Sequence, residues 1–305
     1  MADLALIKKL REATGCGIAD CNKALAECGD DFEKSVDWLR KKGLSSAAKK
    51  SGRVTAEGVV AIKISGNSGS IIEVNAETDF VARNEKFQNL VNQLNEKSGK
   101  FGSDVEAFKN SEFKAGTTVL QEIQNQIGII GENINLRRID NLTVNNGAVV
   151  GYIHNVIAGN LGRIAVLVAL ESQADKGKLE EFGKQVAMHV AAAKPDALNI
   201  EAVDQAKLQR EIAVLREQAK NSGKPDNIIE KMMEGRVRKY YEEVVLLEQF
   251  FVMDDKVKIK DLVADFAKKN GETKLTGFKL FILGEGIEKK ENNFAAEVAA
   301  MTKSS

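Results

Sequence analysis

Few residues in this chain are of the types that do covalent chemistry. There are two histidines, His154 and His189, and three cysteines, Cys16, Cys21 and Cys28. The C-x4-C-x6-C spacing suits no zinc site, which would also need a distant fourth ligand. Cys21 and Cys28 fall on one helical face with Leu25 and read as small buried hydrophobes. An odd number of cysteines in one short stretch fits free thiols in a reducing compartment. Each histidine, standing alone, reads as a hydrogen-bonded structural residue. The chain has no G-x-x-x-x-G-K-[ST] loop, no G-x-G-x-x-G, no H-E-x-x-H and no nucleophile elbow. Two features remain. Asp79-Phe80 sets a carboxylate beside an aromatic between a strand-like and a helix-like segment. Locally, Thr78 or Asp79 would cap the helix and Phe80 would pack inside. The second is the stretch 40–53, RKKGLSSAAKKSGR, with six basic residues and no acid. It reads as a linker, either a solvated tether or a contact for RNA or an acidic surface. No aromatic interleaves its charges, so stacking on single-stranded bases has little support.

The elements that position these residues follow from pattern. The chain has 305 residues, 44 basic and 44 acidic, with 43% hydrophobic content, a globular composition. Its longest aliphatic run, 164–170, is far below the ~18 residues of a membrane helix. The first residues lack a secretory pattern, and a cytoplasmic protein is expected. Residues 1–42 predict three short helices, broken at Gly15-Cys-Gly17 and Gly29, with Asp30 or Asp31 capping the third. Gly58–Ile64 and Ser70–Asn75 predict a hairpin about the turn 66–69. Helices carrying Phe87, Leu90 and Leu94, then Val119, Ile123 and Ile127, come next, and 133–139 alternates as a strand. Residues 147–283 repeat that plan: strands 147–153 and 163–170, a helix with Leu179, Phe182 and Val186, and a closing strand 277–283. Leu208, Ile212, Leu215 and Ala219, then Ile229, Met233, Val237, Tyr240 and Val244, place two facing stripes in an antiparallel coiled-coil hairpin. The fold class is α+β, two related halves each with helices against its own antiparallel sheet. Two similar halves suit a broad binding face better than a deep catalytic pocket.

Several segments together resemble the bacterial elongation factor Ts family. They are Thr14-Gly-Cys-Gly-Ile-Ala-Asp-Cys21, Glu77-Thr-Asp-Phe-Val-Ala-Arg83, Gly131-Glu-Asn-Ile-Asn135, Val186-Ala-Met-His-Val-Ala191, Ser222-Gly-Lys-Pro225, Phe251-Val-Met253, Gly284-Glu-Gly-Ile-Glu288 and Phe294-Ala-Ala-Glu-Val-Ala-Ala-Met301. They occur in order from one end of the chain to the other.

The resemblance implies a ubiquitin-associated (UBA)-like three-helix domain at 1–45, a basic linker at 46–57 and a core N-subdomain at 58–140. A core C-subdomain at 141–200 and 248–288, a coiled-coil arm at 201–247 and a C-terminal helical module at 289–305 complete the plan. It implies a non-enzymatic guanine-nucleotide exchange factor that binds elongation factor Tu, both GDP-bound and nucleotide-free. Such a protein needs no cofactor, membrane or direct nucleotide site. Thr78, Asp79, Phe80 and Val81 would form a wedge beside the partner's magnesium and phosphates, with Phe80 exposed. Arg11, Ile18, Ala19, Ile130, Gly131 and His154 would make further contacts. The turn after His154 departs from the family, and Phe250 stands where the family often has proline. Rival readings are an RNA-associated protein using 40–53, an adaptor whose first domain binds a ubiquitin-like fold, and an unrecognised enzyme.

Overall fold

The computed structural model describes residues 3–220 and 226–288. The predicted arm turn at 221–225 and the C-terminal module at 289–305 lie outside the described residues. Three helices open the chain: α1 (Leu4–Thr14), α2 (Ile18–Cys28) and α3 (Phe32–Lys50). Asp3 and Asp31 cap α1 and α3 through their carboxylates, while Gly15 and Gly29 end α1 and α2 in the left-handed conformation. Leu10, Cys21, Ala24, Leu25 and Leu39 form their shared core. Cys21 is fully buried there, as expected, whereas Cys28 is only half-buried.

The basic stretch is not a tether. α3 runs through it to Lys50, so a boundary at residue 45 falls inside a helix. The reason is packing: Gly43 lies against Gly128, where a built Cβ would come 2.9 Å from the Gly43 Cα. Only a continuous helix presents Leu39, Gly43 and Ala47 on one inward face while its lysines stay in water.

The first half of the core is β1 (Glu57–Ser65), β2 (Ser68–Ala76), α4 (Asp79–Ala82), α5 (Glu85–Ser98), α6 (Val105–Asn110), β3 (Glu112–Lys114), β4 (Thr117–Thr118), α7 (Val119–Ile130) and β5 (Ile134–Thr143). The second is β6 (Gly147–Ala158), β7 (Leu161–Ser172), α8 (Lys176–Ala193), α9 (Gln205–Lys220), α10 (Asp226–Val244), β8 (Phe250–Phe251), β9 (Asp254–Lys258), α11 (Ile259–Asn270) and β10 (Thr273–Ile282). Each half pairs its second long strand with its first and third, all antiparallel: β1-β2-β5 and β6-β7-β10. The expectation of a separate sheet in each half is corrected, because β7 also pairs with β1 at Gly162–Val60 and Leu161–Ala61, giving one six-stranded sheet. Joining edges removes unpaired backbone groups that two small sheets would expose. Among the described residues no helix is long and apolar enough to cross a membrane.

The halves share two irregularities. Gly58 and Gly147 open β1 and β6 at φ +123° and +135°, and a Cβ there would meet the opposite strand's carbonyl oxygen at 2.2 and 2.0 Å. The third strand of each half carries a bulge. Glu73 pairs with Arg138 and Val74 with Leu136, skipping Arg137, while Leu170 pairs with Leu275 and Ala169 with Gly277, skipping Thr276.

The first bulge has a purpose. Neighbouring strand residues ordinarily face opposite ways, but the extra residue turns both Arg137 and Arg138 onto the fully buried Glu73, at 3.0 and 2.6 Å. The Gly284 N–H donates to the same carboxylate at 2.9 Å, and the Asn75 amide at 3.0 Å. Burial would raise the Glu73 pKa; the Gly284 N–H, Arg138 and Asn75 outweigh it and hold the carboxyl below its ordinary range.

In the second half α9 and α10 lie side by side. Ile229 and Met233 are buried against Ile212 and Leu215. At the base of this pair His189, fully buried on α8, bonds Gln249 through Nε2 at 3.0 Å and accepts the Val252 N–H at Nδ1 at 3.2 Å. The network assigns the proton to Nε2. His189 is structural, as the pattern predicted.

Two predictions follow from these constraints. Gly147→Ala should lower unfolding stability by about 2–4 kcal/mol, since it combines a forbidden conformation with a backbone clash. Gly66→Ala, at φ +59° with open space around it, should cost only about 1–2 kcal/mol; urea unfolding compares them. Burial lowers the His189 pKa, opposed by the bond to Gln249. Its folded value therefore lies below its unfolded one, so the unfolded state takes up the proton first. Stability should hold above about pH 6.5 and fall as pH drops below it, and this slope should flatten in His189→Gln when thermal midpoints are compared.

Candidate partner-binding site

The end of β2 delivers the chain into a sharp corner. Glu77 and Thr78 lead into the single turn α4, after which Asn84 caps α5 by accepting from the Lys86 and Phe87 N–H groups. Val81 and Ala82 are buried in the core beneath. Phe80, between them and Asp79, is 80% exposed. Local expectation put Phe80 inside; the structure puts it in water, as the resemblance implied. Val81 is corrected the other way. It is only 6% exposed, so it props the corner from within and presents no contact surface. A one-turn helix offers its inward face to one or two residues, and Val81 and Ala82 take it.

Thr78 is the N-cap residue, yet its hydroxyl makes no capping bond. Instead its N–H and hydroxyl donate to the two oxygens of Glu132 at 3.0 and 2.7 Å. Glu77 answers in the opposite sense, accepting the Asn133 N–H at 2.6 Å, and also pairs with Arg53 at 3.3 Å. The Asn133 amide donates to the Arg53 carbonyl at 3.0 Å. The corner is thus latched to the turn after α7 and to the chain just beyond α3. Gly131 ends α7 at φ +91°, its N–H on the Ile127 carbonyl at 3.0 Å. Ile130 is half-buried and Gly131 exposed. The latch therefore brings together Thr78, Asp79, Phe80, Ile130 and Gly131.

Arg11, Ile18 and Ala19 are exposed on the three-helix unit. That unit reaches the same region through Lys86, whose ammonium donates to the Gly15 carbonyl at 2.8 Å, and through Ile129, within 3.6 Å of a Cβ built on Gly15. His154 stands apart. It is exposed on β6 opposite Ile164, with Nδ1 3.1 Å from the Tyr152 hydroxyl, and among the described residues no hydrogen bond joins it to the corner. Asn155 beside it takes φ +53°, and Val156 is 59% exposed.

Sequence reasoning missed three things. Glu132 and Glu77 were quoted in motifs but given no role; a glutamate in each of two non-adjacent motifs was the available signal. Val156 stands two residues beyond His154 on β6 and is exposed like it. Phe250, Val252 and Met253 form an exposed apolar group around β8; its signal was four successive apolar residues, 250–253, of which only Phe251 is buried.

Among the described residues no group of three or more His, Cys, Asp or Glu could hold a metal ion. Fold and site together define a mixed α+β protein with antiparallel strands that presents a fixed polar–aromatic corner. The family described as Elongation factor TS matches residues 77–285. Over 299 residues the chain is 56% identical to an elongation factor Ts of Rhodospirillum centenum, covering 97% of each chain. It is 51% identical to that of Gluconobacter oxydans over 296 residues, 97% of this chain and 96% of the relative. It is 49% identical to that of Rickettsia felis over 300 residues, 98% and 97% of the two. The chain belongs to the elongation factor Ts family. Its members are exchange factors in translation elongation, and their partner is elongation factor Tu.

The latch makes its own prediction. Glu132→Ala should speed hydrogen exchange at the Thr78 amide and its neighbours while lowering global stability by no more than about 1 kcal/mol, since water can replace the lost acceptor at this half-buried site. Equal slowing or equal speeding across the whole sheet would remove Glu132 from its local role.

Proposed function

We propose that Asp79 and Phe80 are the wedge by which this protein loosens GDP on elongation factor Tu. The observation that carries the reading is an aromatic ring four-fifths exposed on a corner fixed by four hydrogen bonds and a buried prop. Water disfavours such a ring, and a partner that covers it gains its burial without first ordering it. Inserted beside the partner's magnesium and phosphates, Phe80 holds a distorted site while Asp79 faces the metal side. Magnesium offsets phosphate charge, so disturbing its ligands weakens nucleotide binding. Linkage then requires that nucleotide weaken this protein's own binding by the same factor, which releases it when GTP enters. Ile130 and Gly131 contact the partner next to the wedge, Arg11, Ile18 and Ala19 from the three-helix unit, and His154 at a separate point.

The same reading extends to the domain plan: a UBA-like unit, a core of two related halves, and a coiled-coil arm formed by α9 and α10. The matched glycines Gly58 and Gly147, and bulges at the same place in β5 and β10, support a duplicated core.

Release of a fluorescent GDP from elongation factor Tu tests the mechanism. Wild type should accelerate release strongly. Phe80→Ala forfeits roughly 1.5–3 kcal/mol of burial and should weaken the effect by roughly ten- to a hundredfold at limiting concentration, with the fold retained because Phe80 is four-fifths exposed. Undiminished acceleration by Phe80→Ala would move the wedge elsewhere.

A further inference from the structure

Cys16 and Cys21 take no part in the site, yet the helix start places them together. Gly17 is the N-cap of α2, so Cys16 is the residue before the cap and Cys21 the fourth residue of the helix. Side chains at these two positions meet across the first turn, where they ordinarily form an apolar staple. Here both staple positions are thiols. Cys21 is fully buried, Cys16 packs against the same cluster, and the Cys21 thiol lies 3.9 Å from the Cys16 carbonyl oxygen. Cys28 is excluded as a partner for Cys21: two helical turns separate them, about 10 Å along the axis, against the ~7 Å limit between Cα atoms for a disulfide.

Access is unequal. A cavity of about 750 Å³ lies between the three-helix unit and the core, lined by Gly15, Cys16 and Arg40 on one side and Lys86, Gln126 and Ile129 on the other. Cys16 opens onto it and Cys21 does not. Burial, the largest influence, also raises the Cys21 pKa, which leaves Cys16 as the first thiol to react. The cations Arg40 and Lys86 favour an oxidant that carries carboxylates.

We propose that Cys16 and Cys21 are a redox modification site, closing to an intramolecular disulfide when a small anionic disulfide such as glutathione disulfide enters the cavity. The Cys16 thiolate attacks one sulfur of glutathione disulfide; the Cys16–glutathione bond forms, the glutathione S–S bond breaks, and the departing thiolate takes the proton Cys16 lost. The Cys21 thiolate then attacks the Cys16 sulfur, and the second glutathione leaves with the Cys21 proton. Two cysteine thiols are oxidised and one glutathione disulfide is reduced to two thiols. The closed ring spans Gly17 to Asp20 and so contains the exposed Ile18 and Ala19.

The test uses the full chain, incubated with glutathione disulfide, alkylated, and read by mass spectrometry. Both cysteines lie on one tryptic peptide, 12–23. That peptide should lose two hydrogens and take no alkyl group, Cys28 should be alkylated, and a reductant should reverse the change. Cys28→Ser should behave as wild type. Cys21→Ser should stop with glutathione on Cys16. Cys16→Ser, whose side chain sits in a turn, should keep its circular dichroism and lose the reaction. A wild-type protein that stops at the mixed disulfide, bridges through Cys28, or stays fully alkylated would overturn the assignment.

Discussion

A carboxylate without water must be surrounded by donors, and Glu73 sets that requirement at the centre of the sheet. It draws two arginines from β5 and a backbone N–H from the segment after β10 onto one residue of β2. Residues from three distant stretches of sequence are thereby held at hydrogen-bond distance. Removing one partner from such a buried group typically costs about 3–5 kcal/mol, a large share of a domain's net stability. The corner bearing Phe80 begins only a few residues further along the same strand. Its position relative to β5, and hence to Glu132 and Asn133, is inherited from this hub.

The corner itself inverts the usual arrangement of an aromatic. Phe87 and Phe108 are wholly buried nearby, and Phe80 alone of the three is left in water. The cost is accepted because the backbone around it has no freedom to fold the ring inward. Val81 and Ala82 occupy the inward face, and Thr78 and Glu77 are tied crosswise to the turn after α7. A flexible loop carrying the same two residues would lose much of its binding energy in becoming ordered. The rigid corner on β2 has no such ordering cost.

Much of this was legible in the sequence where period decides the outcome. The β1–β2 hairpin, the α5 and α7 stripes and the facing stripes of α9 and α10 follow directly from apolar spacing. The three-helix unit follows from its glycines and caps. Other features depend on contacts no local window contains. The basic stretch looked like a tether because the reason for its helicity, Gly128, lies some 85 residues away in sequence. In the sequence Arg137-Arg138 continue an alternating strand, whereas a bulge in the structure breaks the alternation so that both reach Glu73. The merging of the sheet through two residue pairs had no local signature. In the candidate site, composition favoured a buried Phe80, and only the ordered set of motifs pointed outward. The inward Val81 follows from the geometry of a four-residue helix, which the motif does not reveal.

The contact of Gly43 with Gly128 gives α3 the mechanics of a lever. The helix is 19 residues long, close to 28 Å at the rise of an α-helix, and it meets the core through Ala47 and through Gly43, where no side chain separates it from Gly128. One arm bears on the α1–α2 face, where Ile18 stands exposed. The other ends beside Ser51 and Arg53, whose carbonyls receive the Asn133 amide. Pivoting about this fulcrum by about 5° shifts the far end by about 1 Å, from an arm of roughly eight to ten residues at helical rise. That is comparable to the slack of a hydrogen bond. One helix thus ties the three-helix unit and the base of the corner to the same rigid element.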